Sequence, residues 1–244
     1  MLDKDNKPVH IAMIMDGNRR WAKRNKVSTA KGHQEGAENL SRVVNHCSKL
    51  GIKYVTVYAF STENWKRSKE EVDALMLIIK NYLHNYVKKA NENNIKINII
   101  GRRDRLSKGV LNSIEYAMEE TKNNTGTQFN IAFNYGGRDE IVTAVKAIAE
   151  KVKNNEIELE EITEQLISDN LYTKNIPDPD LLIRTSGELR TSNFLPWQLV
   201  YAEYYFPDTL WPDFKEKDLE QAIEAYQGRN RRFGGNSGKE FSKV

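Results

Sequence analysis

The chain has 244 residues, 39% hydrophobic and 29% charged, which excludes a mainly disordered protein and fits one α/β domain. No apolar run approaches a membrane span, the opening MLDKDNKPVH lacks a signal-peptide core, and a cytoplasmic protein is expected. The single Cys47 excludes an internal disulfide, the histidines (His10, His33, His46, His84) show no metal spacing, and the net charge of +3 is too small to decide anything as a total.

In chain order, residues 10–16 form a short apolar run that predicts a strand. Leu40, Val43, Val44 and Cys47 follow at helical spacing, with Gly51 as the stop. Residues 54–60 predict a second buried strand. Ser68 and Glu71 have capping-box spacing and open a helix to about Lys88. Its stripe is Val72, Leu75, Met76, Ile79, Leu83 and Tyr86; Leu77 and Ile78 widen it, so the helix is expected to be buried on two sides. Strands are predicted at 95–101, 129–135, 181–185 and 200–206. Helices are predicted at 106–118, 139–153, 160–170 and from about Lys215, the last capped by Asp213 with Glu216. Strands alternating with helices predict a central, mostly parallel six-stranded sheet with helices on both faces.

Charge is unevenly spread. Residues 1–31 hold eight Lys/Arg against three Asp, and 228–244 hold five against Glu240, so the middle of the chain is acidic. An anionic partner at the basic ends is one reading; solvated termini are the plainer one. A nucleic-acid module would need a continuous basic, aromatic-studded surface, and the acidic middle argues against it.

Ligands of parallel sheets bind beyond the carboxyl ends of the strands. The segments there are 16–21 (DGNRRW), 61–67 (STENWKR), 101–103 (GRR), 134–138 (NYGGR) and 184–187 (RTSG). Arg, Asn, Gly and Ser suit an oxyanion, since Arg forks onto phosphate oxygens and Gly lets backbone N–H groups approach. There is no G-x-G, no P-loop, no adjacent aspartate pair and no G-x-S-x-G, so any phosphate is held in another way.

Five stretches in order then resemble the signatures of the cis-prenyltransferases: HIAMIMDGNRRWAK at 10–23 with Gly32-His33, AFSTENWKR at 59–67, NYGGR at 134–138, DLLIRTSGELRTSNFLPWQ at 180–198, and YAEYYFPD at 201–208 with LWPDF at 210–214. The resemblance covers nearly the whole chain and is greatest to the bacterial undecaprenyl diphosphate synthases. It implies Mg²⁺-dependent addition of isopentenyl diphosphate to farnesyl diphosphate with cis double bonds. It also implies an apolar tunnel between helices and sheet, and a homodimer.

The resemblance implies the roles that follow. Asp16 positions Mg²⁺ and, with Asn64, is catalytic; Glu203 is the second metal ligand. Gly17, Asn18, Arg19, Arg20, Trp21 and His33 hold the allylic diphosphate. Ser61, Thr62, Glu63, Trp65 and Arg67 place the two substrates. Arg184, Arg190 and Ser192 form the second diphosphate pocket, three groups within nine residues that could converge on one phosphate, and Thr191 binds substrate beside them. Asp16 alone would read as a helix N-cap. Asn64 has no basic pKa, so released diphosphate is at least as good a proton acceptor.

Arg232-Phe233-Gly234, in the basic tail 228–244 of the 1–244 domain, resembles a terminal R-x-G that reaches a dimer partner's site. Two positions depart from the family: Thr29 stands where an Arg is usual, with Lys31 as a possible substitute, and Thr127 where a bulky apolar residue is common near the tunnel floor. The alternatives to a long-chain enzyme are a shorter-chain synthase and a catalytically silent partner subunit. Silent relatives tend to lose the aspartate and motif arginines, and Asp16, Arg20, Arg184 and Arg190 are all present. Membrane contact is expected to be peripheral at most.

Overall fold

The computed structural model describes residues 2, 3 and 5–229. The Arg232-Phe233-Gly234 motif therefore lies outside the described residues.

Six strands form the sheet: β1 (His10–Ile14), β2 (Tyr54–Ser61), β3 (Lys96–Ile100), β4 (Gln128–Tyr135), β5 (Leu181–Arg184) and β6 (Glu203–Tyr205). Their order is β3-β4-β2-β1-β5-β6 and all five pairings are parallel. The strands are apolar on both sides because both sides are covered. Ile11 and Met13 of β1 pack on one face with Leu40, Val43 and Leu83, while Ala12 and Ile14 pack on the other with Phe194 and Leu195.

The first face is covered by α2 (Thr29–Lys49), α3 (Lys69–Glu92), α4 (Lys108–Glu120) and α7 (Glu216–Gln227). Segment 194–199 lies against the other face. It is tied to α5 (Gly137–Lys153) by Gln198, whose Nε2 donates to the buried Glu140 carboxylate at 3.1 Å. The chain winds outward from β1 to β3 and β4, then returns to add β5 and β6 on β1's other side. β1 thus lies where the winding reverses, and its carboxyl end opens into the crevice where such sheets bind ligands.

Several local expectations change. The 160–170 helix is a 3₁₀ turn (Leu159–Glu161) followed by the one-turn helix α6 (Glu164–Ser168). Asp213 does not cap α7: Lys215 does, and its N–H donates to Asp218 at 2.8 Å. Asp213 instead accepts from Trp21 Nε1 at 2.8 Å and from Arg24. In α3, Ser68 accepts from Glu71 N as the capping spacing predicts, but Leu77 is 58% exposed, so the second side of this helix is partly open.

One helix follows β1 directly: α1 (Asn18–Arg24). Gly17 caps it with φ 112°, a backbone that side chains disfavour. α1 packs against α2 at two glycines four residues apart. A Cβ on Gly36 would sit 2.4 Å from Asn18 Oδ1, and one on Gly32 would sit 2.5 Å from the Asn18 carbonyl oxygen.

Candidate active site

A cleft of about 580 Å³ opens at the carboxyl ends of β1, β2 and β5, walled by Asp16, Asn18, His33, Asn64, Arg184 and Ser192 among others. Asp16 is not an N-cap, because Gly17 takes that position and no side chain caps α1. Its carboxylate instead accepts from Arg184 Nη2 at 2.9 Å and lies 3.4 Å from Arg20 Nη2. Arg184 is 4% exposed, so burial of its charge has to be offset by close partners. Its Nη1 donates to Ser192 Oγ at 2.8 Å and to the Arg190 carbonyl, while Nε has no partner. Arg20 donates to the Ser186 carbonyl at 3.0 Å and to the Ser186 hydroxyl.

The loop that carries Ser192 is held in an unusual conformation. Ser186, Ser192, Asn193 and Leu195 all have positive φ. Such backbone is stable only when neighbours fix it. Asn193 does much of this: its Nδ2 donates to Glu63 Oε1 at 2.9 Å, its Oδ1 accepts from Arg138 N at 2.9 Å, and its carbonyl accepts from Gly137 N at 2.8 Å. Burial raises the Glu63 carboxyl, but hydrogen bonds from Asn193, its own N–H, Ser61 and Thr62 outweigh this and hold it below the usual carboxylate range. Beneath the loop, Phe194 stacks on Tyr58 with ring centres 4.6 Å apart.

On the α2 side, His33 is mostly buried and its Nε2 lies 3.6 Å from Glu71 Oε1, beyond hydrogen-bond distance, with no other partner. Burial, then the nearby Arg67 and Arg19 cations, lower its pKa against the pull of Glu71. Arg67 Nη1 donates to the same Glu71 oxygen at 2.9 Å. Asn64 Oδ1 accepts from Ser61 N at 3.1 Å, which shapes the turn after β2. Three polar atoms facing this region, Arg184 Nε, His33 Nε2 and Asn18 Oδ1, have no hydrogen-bond partner. Buried polar atoms are normally paired, and a ligand rich in oxygens would satisfy the two nitrogens.

Behind the polar cleft the walls turn apolar. A cavity of about 80 Å³ continues past Asn18 and His33 between α2, α3 and the sheet, lined by Ala59, Leu75, Ile79, Ile131 and Phe133 among others. α3 therefore lends one side to an apolar cavity, as the width of its stripe suggests.

The structure gathers Asp16, Asn18, Arg20, His33, Ser61, Glu63, Asn64, Arg67, Arg184 and Ser192 in or beside the cleft. Other expected residues stand apart. Arg190 directs its guanidinium to Glu188, whose other oxygen lies 3.3 Å from Arg20, so it stands at the edge of the cleft and meets Arg184 through its carbonyl alone. Trp21 is tied to Asp213. Trp65 donates to Asn134 Oδ1 at 2.7 Å under the Arg105 cation, and is scaffold rather than cleft wall. Thr62 donates to Glu63, Arg19 is exposed though its charge still acts on His33, and Thr191 caps a turn through its carbonyl to Phe194 N. Glu203 pairs with Arg229 at 2.7 Å and stands level with Leu181, five residues below Asp16 along the parallel strands, or roughly 17 Å. Within one chain these two carboxylates cannot share an ion.

Lys31 pairs with Glu35 at 2.8 Å rather than reaching the cleft in place of the arginine absent at Thr29. Thr127 is buried and donates to the Ile52 carbonyl at 2.7 Å. Residues not anticipated are Asn193, Glu71, Tyr58 and Met15. Glu71 was legible as the residue four after Arg67; nothing in the sequence marks Asn193 as the tie between three segments.

Comparison with known proteins fits this arrangement. The family model described as "Putative undecaprenyl diphosphate synthase" matches residues 14–234. An isoprenyl transferase of Clostridium tetani is 50% identical over 96% of this chain and 92% of that protein. The ditrans,polycis-undecaprenyl-diphosphate synthase ((2E,6E)-farnesyl-diphosphate specific) of Micrococcus luteus is 50% identical over 93% of this chain and 92% of that protein. Among solved structures, lavandulyl diphosphate synthase from Lavandula x intermedia in complex with dimethylallyl diphosphate superposes with a TM-score of 0.91 at 41% identity, covering 94% of this chain and 99% of that one. A probable undecaprenyl diphosphate synthase from Campylobacter jejuni gives 0.77 at 33% identity over 94% and 99%. The chain belongs to the undecaprenyl diphosphate synthase family of isoprenyl transferases.

Proposed function

We propose that the cleft condenses isopentenyl diphosphate onto an allylic diphosphate, farnesyl diphosphate as primer, and repeats this to give a polyprenyl diphosphate of undecaprenyl type. The observation that carries the reading is the Asp16–Arg184–Ser192 cluster, with donors to spare, at the mouth of an apolar cavity. Arg184 and Ser192 supply charge-assisted and hydroxyl hydrogen bonds to the diphosphate of isopentenyl diphosphate. The Asn18, Arg19 and Arg20 N–H groups open α1 and lack intrahelical partners, so with Arg20 and His33 they can hold the allylic diphosphate. Asn64 and Ser61 orient the reacting carbons. The apolar walls keep water from the allylic cation that forms as diphosphate leaves.

Magnesium fits as an ion brought mainly by substrate. Among the described residues no group of three or more His, Cys, Asp or Glu could hold a metal, whereas Mg²⁺ commonly uses one carboxylate with phosphates and water. Asp16 is that carboxylate. The ion would neutralise charge on the departing diphosphate. Glu203, at the far end of the sheet, could serve only a site on a second copy, in keeping with a homodimer. No described helix is long and apolar enough to cross a membrane, so contact with a bilayer would be peripheral.

A second reading, a short-chain cis-prenyl synthase, draws on the small cavity of about 80 Å³. Purified protein with farnesyl diphosphate, labelled isopentenyl diphosphate and Mg²⁺, with products resolved by length, separates the two. A polyprenyl ladder that needs Mg²⁺ supports the main reading. One or two condensations support the second, and no product under varied primers refutes both.

A further inference from the structure

This inference rests on the reading above, in which Asn64 and Arg67 work on substrates in the cleft, and deepens it. Both belong to the segment after β2, where Thr62–Lys66 form a 3₁₀ turn that fully buries none of its five residues. Asn64 accepts from Ser61 N, and Arg67 donates to Glu71. These bonds lie within one stretch of chain, so they shape the turn but leave its seat on the sheet open. The seat depends on what grips the turn from other segments.

Trp65 provides a grip from the β4 side. Its ring meets Phe60 edge-on with centres 5.1 Å apart, and the Arg105 guanidinium carbon lies 4.5 Å from its centre. Its Nε1 donates to Asn134 Oδ1 at 2.7 Å. Asn134 is 1% exposed, and its amide is engaged at both ends: Nδ2 donates to the Asp104 carbonyl at 3.0 Å and to the Arg102 carbonyl at 3.3 Å. Its own carbonyl accepts from Arg102 N at 3.1 Å. The φ of 51° at Asn134 is left-handed, a conformation that Asn tolerates better than most residues. One side chain thus joins the end of β4 to the loop after β3 and to the turn after β2. The NYGGR motif that contains it approaches the turn again at Gly136, where a Cβ would sit 2.5 Å from Thr62 Oγ1. No residue of this motif lines the cleft.

We infer that Asn134 is a positioning residue for the condensation: through the Trp65 N–H it seats the turn so that Asn64 and Arg67 face the cleft. It acts on the chemistry without touching substrate. A misplacement of about 1 Å caused away from the reacting atoms can cost about 100-fold in rate.

The test is a double-mutant cycle. Asn134→Gly keeps the left-handed backbone and removes the side chain. Trp65→Phe keeps a ring beside Arg105 and removes the N–H donor. The kcat and the KM for isopentenyl diphosphate are measured with farnesyl diphosphate and Mg²⁺. Values are taken per folded protein, counted by circular dichroism, so that lost stability alone does not move kcat. Each single variant is expected to lower kcat about tenfold with KM changed less than about threefold. The double variant is expected to lose about tenfold rather than about 100-fold, because both substitutions remove the same bond. Wild-type kcat in either folded single variant overturns the inference, and so do losses that multiply in the double variant. Trp65→Phe carries the test alone if Asn134→Gly does not fold. A wild type that makes no prenyl product overturns the functional reading, and this inference with it.

Discussion

His10 should make the protein lose stability steeply in mild acid. Its ring lies at the start of β1, 1% exposed, with Nδ1 2.6 Å from the Pro177 carbonyl and Nε2 2.7 Å from Thr56 Oγ1. The carbonyl can only accept, so Nδ1 carries the proton and Nε2 accepts from the Thr56 hydroxyl, which in turn accepts from Asn130 Nδ2 at 3.1 Å. The network suits the neutral imidazole, and burial lowers its pKa from 6.5 to about 4, against smaller opposing effects of Pro177 and Asp180. A lowered folded pKa on a base means that, below pH 6.5, the unfolded chain takes up a proton and the folded one does not. Stability is therefore unaffected above about pH 7, falls as pH drops through 6.5, and stops falling near pH 4. Between pH 7 and pH 5 linkage gives a loss of about 2 kcal/mol from this one residue. Urea unfolding of wild type and His10→Gln at both pH values measures it. Wild type should lose about 2 kcal/mol more than the variant over that interval. Equal losses would show that His10 is not held neutral, and the reasoning would fail.

Three further outcomes are expected. Arg184→Lys keeps the charge but loses the fork that bonds Asp16 and Ser192 together; KM for isopentenyl diphosphate should rise and kcat/KM fall about 100-fold, and a near-wild-type value would refute the assigned role. Asn193→Gly keeps the positive φ but removes the ties to Glu63 and Arg138; steady-state kinetics should show about tenfold weaker substrate use with little change in melting temperature, and unchanged kinetics would show that the loop holds itself. Gly32→Ala places a Cβ 2.5 Å from the Asn18 carbonyl oxygen, a backbone atom, so urea unfolding should show a loss of about 1–3 kcal/mol with weakened binding of the allylic substrate, and wild-type stability would mean that α1 shifts freely.

How much the sequence discloses depends on how local each feature is. Strand positions were legible because runs such as HIAMI and YVTVYAF are buried on both faces and need no partner to be recognised. The α3 cap was legible because Ser68 and Glu71 lie three apart. The α7 cap was not: Asp213 has the right chemistry, but α1 brings Trp21 and Arg24 to it from the other end of the chain. Asp16 was found by its motif, whereas its freedom from capping duty is seen only once Gly17 takes the left-handed position. Arg184 and Arg190 look equivalent in sequence; only the structure separates the buried Arg184, bonded to Asp16, from the exposed Arg190, paired with Glu188 at the cleft's edge. Glu203 and Asp16 stand apart because strand register, not sequence spacing, sets their distance. Leu77 looked like core because helical periodicity cannot tell a buried second side from a groove.

The most direct test of the account measures condensation of farnesyl diphosphate with labelled isopentenyl diphosphate by Asp16→Ala beside wild type, with both proteins shown folded by circular dichroism. The Asp16 carboxylate is bonded to Arg184 at the carboxyl end of β1, where the proposed function puts the reacting diphosphates. The account predicts that turnover falls by about 100-fold or more, the usual cost of removing a group that stabilises transition-state charge. Turnover within a few-fold of wild type would contradict it and move the chemistry away from this cleft.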